Sequence, residues 1–232
     1  MSPLSFGYSP SPFSSPLGPI TFSLSEPPLP DPSSEQPRPP RRRFTLGVDV
    51  GQLTDFTALA VVERVADELR YECAHLQRLP LGTPYTEQVG EVASVYRRLC
   101  DLGQVRMFLD ATGVGRALVD MFRRDGLVFK AVTLTGGNAI GEPRRGEISV
   151  PKRDLVATTK AMLQTGRLRV ASRLPDAPVL VRELLAMDVT LSAAAHDSYG
   201  ARSGDHDDLV LALSLALWGA EGCGRRRAQL VI

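Results

Sequence analysis

The chain is predicted to be an α/β domain: a mixed sheet, built as an antiparallel three-strand meander with parallel strands added beside it, and flanked by helices. Three observations predict this class. Three strand-like apolar runs follow one another within residues 44–79, separated by short polar turns. A long amphipathic segment then divides them from a fourth such run. From there strand-like and helix-like segments alternate towards the C-terminus.

The first run, Phe44-Thr45-Leu46-Gly47-Val48-Asp49-Val50, reads as a buried strand, and Gly51 ends it by letting the backbone turn sharply. Thr57 to Val65 and Tyr71 to Leu79 form the next two strands, joined by the polar turn Ala66-Asp67-Glu68. Val89, Val92, Ala93, Tyr96, Leu99 and Cys100 recur at helical spacing, so Thr86 to Leu102 is an amphipathic helix. A crossover helix permits a parallel return. Strand Val105 to Asp110 then lies beside the first strand and brings Asp49 and Asp110 to neighbouring strand ends. Ala111-Thr112-Gly113-Val114-Gly115 leads into a helix over 116–124, followed by strand Val128 to Leu134 and a helix from Arg153 to Gln164. Between the last two, Thr135 to Ser149 holds four glycines and Pro143 and reads as a mobile loop or hairpin over a groove, or equally as a flexible connector. Gly166 to Ala171 is a short strand and Pro178 to Met187 a helix. Leu209 to Trp218 is apolar nearly all round and must be a buried helix.

Composition sets the boundaries. Of the 18 prolines in 232 residues, 12 precede Arg41 amid many serines, so residues 1–43 are expected to be a disordered leader. Residues 44–222 then form one domain of ordinary size, and 223–232 a basic tail. Pro and Ser interrupt the leader throughout, which excludes a signal peptide, and no apolar segment reaches the ~20 residues needed to span a bilayer. Cys73, Cys100 and Cys223 lack metal-ligand spacing, which excludes a zinc site built mainly on thiolates and suits reduced thiols of a cytosolic protein. Net charge is only +1, so nucleic-acid affinity must be sought in local clusters. Arg41-Arg42-Arg43, Arg97-Arg98, Arg123-Arg124, Arg144-Arg145, Lys152-Arg153 and Arg225-Arg226-Arg227 are the candidates. Arg97-Arg98 and Arg123-Arg124 fit exposed helix faces, leaving Arg144, Arg145, Lys152 and Arg153 as the expected DNA contacts.

Three acidic stretches carry the chemistry. Asp49 and Asp110 each end an apolar strand, and His206-Asp207-Asp208 opens the buried helix. A carboxylate inside a hydrophobic strand costs several kcal/mol unless a cation or partner offsets it. The alternative for Asp49 is a strand-end residue capping the Gly51-Gln52-Leu53-Thr54 turn. Asp207 and Asp208 suit helix capping, but one cap needs only one of them, so Asp208 is the candidate ligand and Asp207 the cap or a second ligand. His206 is either a loop histidine or an auxiliary group that positions water or a leaving group. Convergent carboxylates without a Cys/His set point to a Mg2+- or Mn2+-dependent phosphodiester hydrolase.

GVDVGQLTDFTALAVVE, FLDATGVG, VPKRDLV and HDDLVLALSLALW, in this order, resemble the nuclease domain of tailed-phage terminase large subunits. The resemblance runs from about Phe44 to Trp218. It implies an RNase H-like fold whose acidic residues, here Asp49, Asp110, Asp207 and Asp208, bind divalent metal and cut double-stranded DNA. Two ions about 3.5–4 Å apart would then share Asp49, with Asp110 and Asp208 each holding one. It also implies the bacterial host cytoplasm, and as partners a terminase small subunit, a portal protein and a separately encoded ATPase, since these 232 residues hold no G-x-x-x-x-G-K-[ST] phosphate loop. Two other readings stand beside it. Gly47 to Gly51 followed by Thr54 is similar to the first phosphate loop of sugar kinase and actin-like ATPases, which need two such domains. The other is an inactive prophage remnant or a DNA-binding module.

Overall fold

The computed structural model describes residues 42–51, 55–65, 69–113, 115–136, 141–144, 147–193 and 206–222. The expected leader up to residue 41, the basic tail 223–232, the turn Ala66 to Glu68, Gln52 to Thr54 and Arg145 lie outside them.

Strand β1 (Arg42–Asp49) pairs antiparallel with β2 (Ala58–Arg64), which pairs antiparallel with β3 (Tyr71–Arg78). This is the expected meander. Helix α1 (Tyr85–Leu102) crosses over, and β4 (Gly103–Asp110) returns parallel to β1. Then come α2 (Gly115–Arg124), β5 (Lys130–Thr135), β6 (Gly141–Arg144), β7 (Glu147–Pro151), α3 (Lys152–Gln164), β8 (Leu168–Val170), α4 (Ala177–Ala193) and α5 (Asp208–Glu221). The sheet has eight strands in the order β6-β7-β5-β4-β1-β2-β3-β8.

Two boundaries differ from the sequence reading in an informative way. β1 begins at Arg42 rather than Phe44, because Arg42 sets both guanidinium donors on the Glu63 carboxylate at 2.6 Å. β5 begins at Lys130 rather than Val128, whose side chain is 75% exposed. The glycine-rich segment between Thr135 and Ser149 extends the sheet: β6 and β7 form an antiparallel pair, and β7 joins β5 in parallel.

Alternation along the strands sends apolar side chains to both faces, as a doubly covered sheet requires. Leu46, Val48, Leu59, Val61, Met107 and Leu109 pack under α1 and α2. Ala58, Ala60 and Val62 meet α5 and parts of α3 and α4 on the other face, and Phe108 and Val132 meet Leu155, Leu215 and Trp218 there. Helix α5 is buried along most of its length, which is why its sequence has no polar side. It lies directly on β1: a Cβ on Gly47 would fall 2.0 Å from the Ala212 carbonyl oxygen and 2.7 Å from the Ala216 nitrogen. Among the described residues no helix is long and apolar enough to cross a membrane.

Candidate active site

β1, β4, β5 and β7 are mutually parallel, so their C-terminal ends share one edge of the fold. Asp49 ends β1 and Asp110 ends β4. Their register runs to Val48 opposite Leu109, and the two aspartates follow at adjoining strand ends. By alternation Asp49 shares a face with Gly47, and Asp110 with Phe108. Both of those residues contact α5. Helix α5 begins at Asp208 over this same edge, and Lys152 opens α3 where β7 ends.

The charges of these residues act on one another. Burial first, then the nearby carboxylates of Asp110, Asp208 and Asp207, hold the Asp49 carboxyl well above the usual carboxylate range, with Lys152 opposing. Asp110 is also raised by burial, against the Thr112 hydrogen bonds; the Thr112 N–H donates to its Oδ1 at 2.8 Å. Burial pushes Asp208 up to about 6, with the charge of His206 pulling it down and those of Asp207 and Asp55 adding to the rise. The buried Oδ2 of Asp208 accepts no hydrogen bond, and His206 Nδ1 stands 3.7 Å away.

Asp207 is engaged differently. Its Oδ2 accepts from Lys152 Nζ at 2.6 Å, and its side chain makes no capping bond to α5. The expected capping role belongs instead to Glu183 of α4. Its Oε2 accepts the backbone N–H groups of Leu209 and Val210 at 3.0 and 3.1 Å, and its Oε1 faces Arg78 Nη1 at 3.4 Å. Burial, the largest cause, pushes the Glu183 carboxyl up to about 7. Arg78 lies 4.0 Å over the Phe56 ring, whose face meets His206 edge-on at 4.8 Å. With Glu183 capping the helix, Asp207 and Asp208 are both released to the carboxylate cluster.

Gly51, two residues after Asp49, is held as well. The Gly51 N–H donates to Thr57 Oγ1 at 3.0 Å, and that hydroxyl donates to Gln88 at 2.7 Å. A Cβ on Gly51 would fall 2.2 Å from the Asp55 carbonyl oxygen, so only glycine fits beside the Asp55 backbone.

Of the expected DNA contacts, Lys152 sits in the carboxylate cluster and Arg153 lies beside Asp154, 3.7 Å away. The backbone of Arg144 on β6 stands opposite Glu147 of β7 in register, four residues before Pro151 and about 13 Å from it along the strand. Glu183 and Arg78 escaped the sequence reading. The available signal was Glu183 in the apolar stripe Leu180, Glu183, Leu184, Met187 of α4, where a carboxylate must have a partner.

Among the described residues no three Asp, Glu, His or Cys side chains stand close enough, as placed, to hold a metal ion. Their chemistry nevertheless fits one. The donors are hard carboxylate oxygens, one of them is buried without a hydrogen bond, and a lysine ammonium stands among them as a stand-in cation.

A meander extended by parallel strands, with carboxylates at the C-terminal ends of its two central strands and at the start of the covering helix, defines an RNase H-like domain. The chain belongs to the family described as the terminase RNaseH-like domain, whose model matches residues 46–218. Similar solved structures include the large terminase nuclease of the thermophilic phage G20c with bound zinc (TM-score 0.50, 20% identity, 78% of this chain and 82% of that one). The P22 large terminase nuclease domain is another (0.52, 14%, 79% and 84%), as is the manganese-soaked human cytomegalovirus terminase nuclease domain (0.51, 11%, 79% and 86%). At these identities the likeness is one of fold. A search of curated proteins yields no match.

Proposed function

We propose that the chain is a divalent-metal-dependent endonuclease that cleaves double-stranded DNA, working with two Mg2+ or Mn2+ ions in the setting of viral DNA packaging. One observation carries the reading: Asp49 and Asp110 end adjoining parallel strands and Asp208 opens the helix packed on them, so that buried carboxylates from three segments act on one another and drive Asp49 towards its neutral form. Such an arrangement ionises fully only beside added positive charge. The zinc-bound and manganese-soaked relatives support the same metal class.

Asp49 would be the shared ligand, with Asp110 and Asp208 on either side; bound metal would supply an activated water and neutralise charge developing on the phosphate. The chain's own residues prepare that site. Glu183 holds the first turn of α5, and with it Asp208, at the strand ends. Lys152 donates to Asp207 and would stand near a phosphate held at the cluster. His206, beside Asp208, would orient water or the leaving oxygen. The partners proposed on the family reading are a terminase small subunit and a portal protein, in the bacterial host cytoplasm.

Nicking of supercoiled plasmid by the full chain tests this. Cleavage is expected with Mn2+, none in EDTA, and a loss of orders of magnitude in Asp49→Asn. Metal-independent DNA binding without cleavage would favour the binding-module reading instead.

A further inference from the structure

The end of the sheet opposite the carboxylates carries the reverse charge. There Arg43, Arg64, Gln104 and Arg106 line a solvent-open cavity of about 210 Å3, together with Thr45 and Ala220 of α5. Arg43 stands directly opposite Arg64 on β2 and beside Gln104 on β4, and Thr45 beside Arg106, so alternation turns these side chains to one face. Like charges directly opposite on neighbouring strands are destabilising. Arg42, one residue away, is neutralised by Glu63, whereas Arg43 and Arg64 are exposed and make no ion pair among the described residues. Among the described residues no carboxylate lines the cavity.

The catalytic edge poses the complementary problem. Asp49, Asp110, Asp207 and Asp208 outnumber the cations beside them, Lys152 at Asp207 and His206 and Arg78 near Asp208, a field that repels a phosphodiester backbone until metal arrives. Attraction must come from elsewhere. Helix α5 spans the two regions, from Asp208 at the carboxylates to Ala220 at the cavity, about 18 Å of helix.

We propose that the Arg43–Arg64–Arg106 cavity binds backbone phosphates of duplex DNA, anchoring the substrate about one helix length from the cutting centre. The choice of duplex DNA rests on the proposed function. The charge pattern itself specifies a phosphate-bearing polyanion.

Fluorescence anisotropy of a labelled duplex, titrated with the full chain in EDTA across a salt series, tests the anchor independently of cleavage. Arg43→Ala/Arg64→Ala/Arg106→Ala should bind about tenfold or more weakly at 0.1 M salt and flatten the log K against log salt slope by about 2–3, at ~0.9 per phosphate contact. The corresponding triple lysine variant should keep most of the affinity, and its melting temperature controls for folding. Asp49→Asn should bind at least as tightly as wild type. An unchanged slope and affinity in the triple alanine variant would overturn the proposal, even if plasmid nicking is intact. A flattened slope in a chain that never nicks DNA would uphold the anchor and sink the nuclease reading alone.

Discussion

Replacing Gly47 by alanine disturbs the active site from beneath without touching a carboxylate. The added Cβ would lie 2.0 Å from the Ala212 carbonyl oxygen, whereas ordinary contact begins near 3.4 Å. Both Ala212 and Ala216 present backbone atoms, so no side chain can rotate away and α5 must retreat by about 1 Å. Overpacking of this kind costs about 1–3 kcal/mol. Losing a glycine from a strand works the other way by roughly 0.5–1 kcal/mol, so any net loss belongs to the clash. The retreat carries Asp208 away from Asp49, and a displacement near 1 Å costs about 100-fold in rate when geometry controls the reaction. Urea denaturation and plasmid nicking with Mn2+ read the two effects separately. A variant with wild-type stability and wild-type rate would refute the reasoning, because it would mean that the seat of α5 on β1 does not set the distance between the carboxylates.

Three further outcomes follow from the same geometry. Glu183→Ala strands two N–H groups and Arg78 and should cost about 1–3 kcal/mol with a marked loss of nicking; Glu183→Gln, which keeps an acceptor, should retain most of both, and equal behaviour of the two variants in urea melts would count against the cap. Asp208→Asn should abolish nicking, whereas Asp207→Asn should change stability by less than about 1 kcal/mol, since it loses an ion pair and no cap; a larger loss in melts would return the cap to Asp207. In EDTA the protein should be more stable at pH 5 than at pH 8. Asp208 rises from 3.8 to about 6 and Glu183 from 4.5 to about 7 on folding, so between about pH 4 and 7 the folded chain holds more protons than the unfolded one. Stability from these groups is therefore full at the acid end and lost as pH rises, on the order of a few kcal/mol together. Melting temperatures that rise from pH 5 to pH 8 would contradict this.

The strand ends were legible because their signals are local. Asp49 and Asp110 interrupt apolar runs, and an 18-residue helix between the strands permits a parallel return. The buried helix announced itself by lacking a polar face. The division of labour at Asp207 and Asp208 was not legible, since it depends on Lys152, 55 residues away, and on Glu183, about 25 residues away, both brought in by packing. Local capping preference favoured Asp207, and a tertiary acceptor displaced it. The layout of the basic residues has a similar origin. Arg144 and Lys152 are close in sequence, but β7 separates them, while Arg43, Arg64 and Arg106 meet only through strand register.

The central claim is that Asp49, Asp110 and Asp208 act together on a divalent cation. Calorimetric titration of the full chain with Mn2+, repeated in two buffers of different ionisation enthalpy, tests it most directly. Saturable binding should be accompanied by proton release, because the raised carboxyl of Asp49 must ionise to take the metal, and Asp49→Asn should lose both the binding and the released proton. Mn2+ binding of equal strength in wild type and Asp49→Asn, or none in either, would contradict the account.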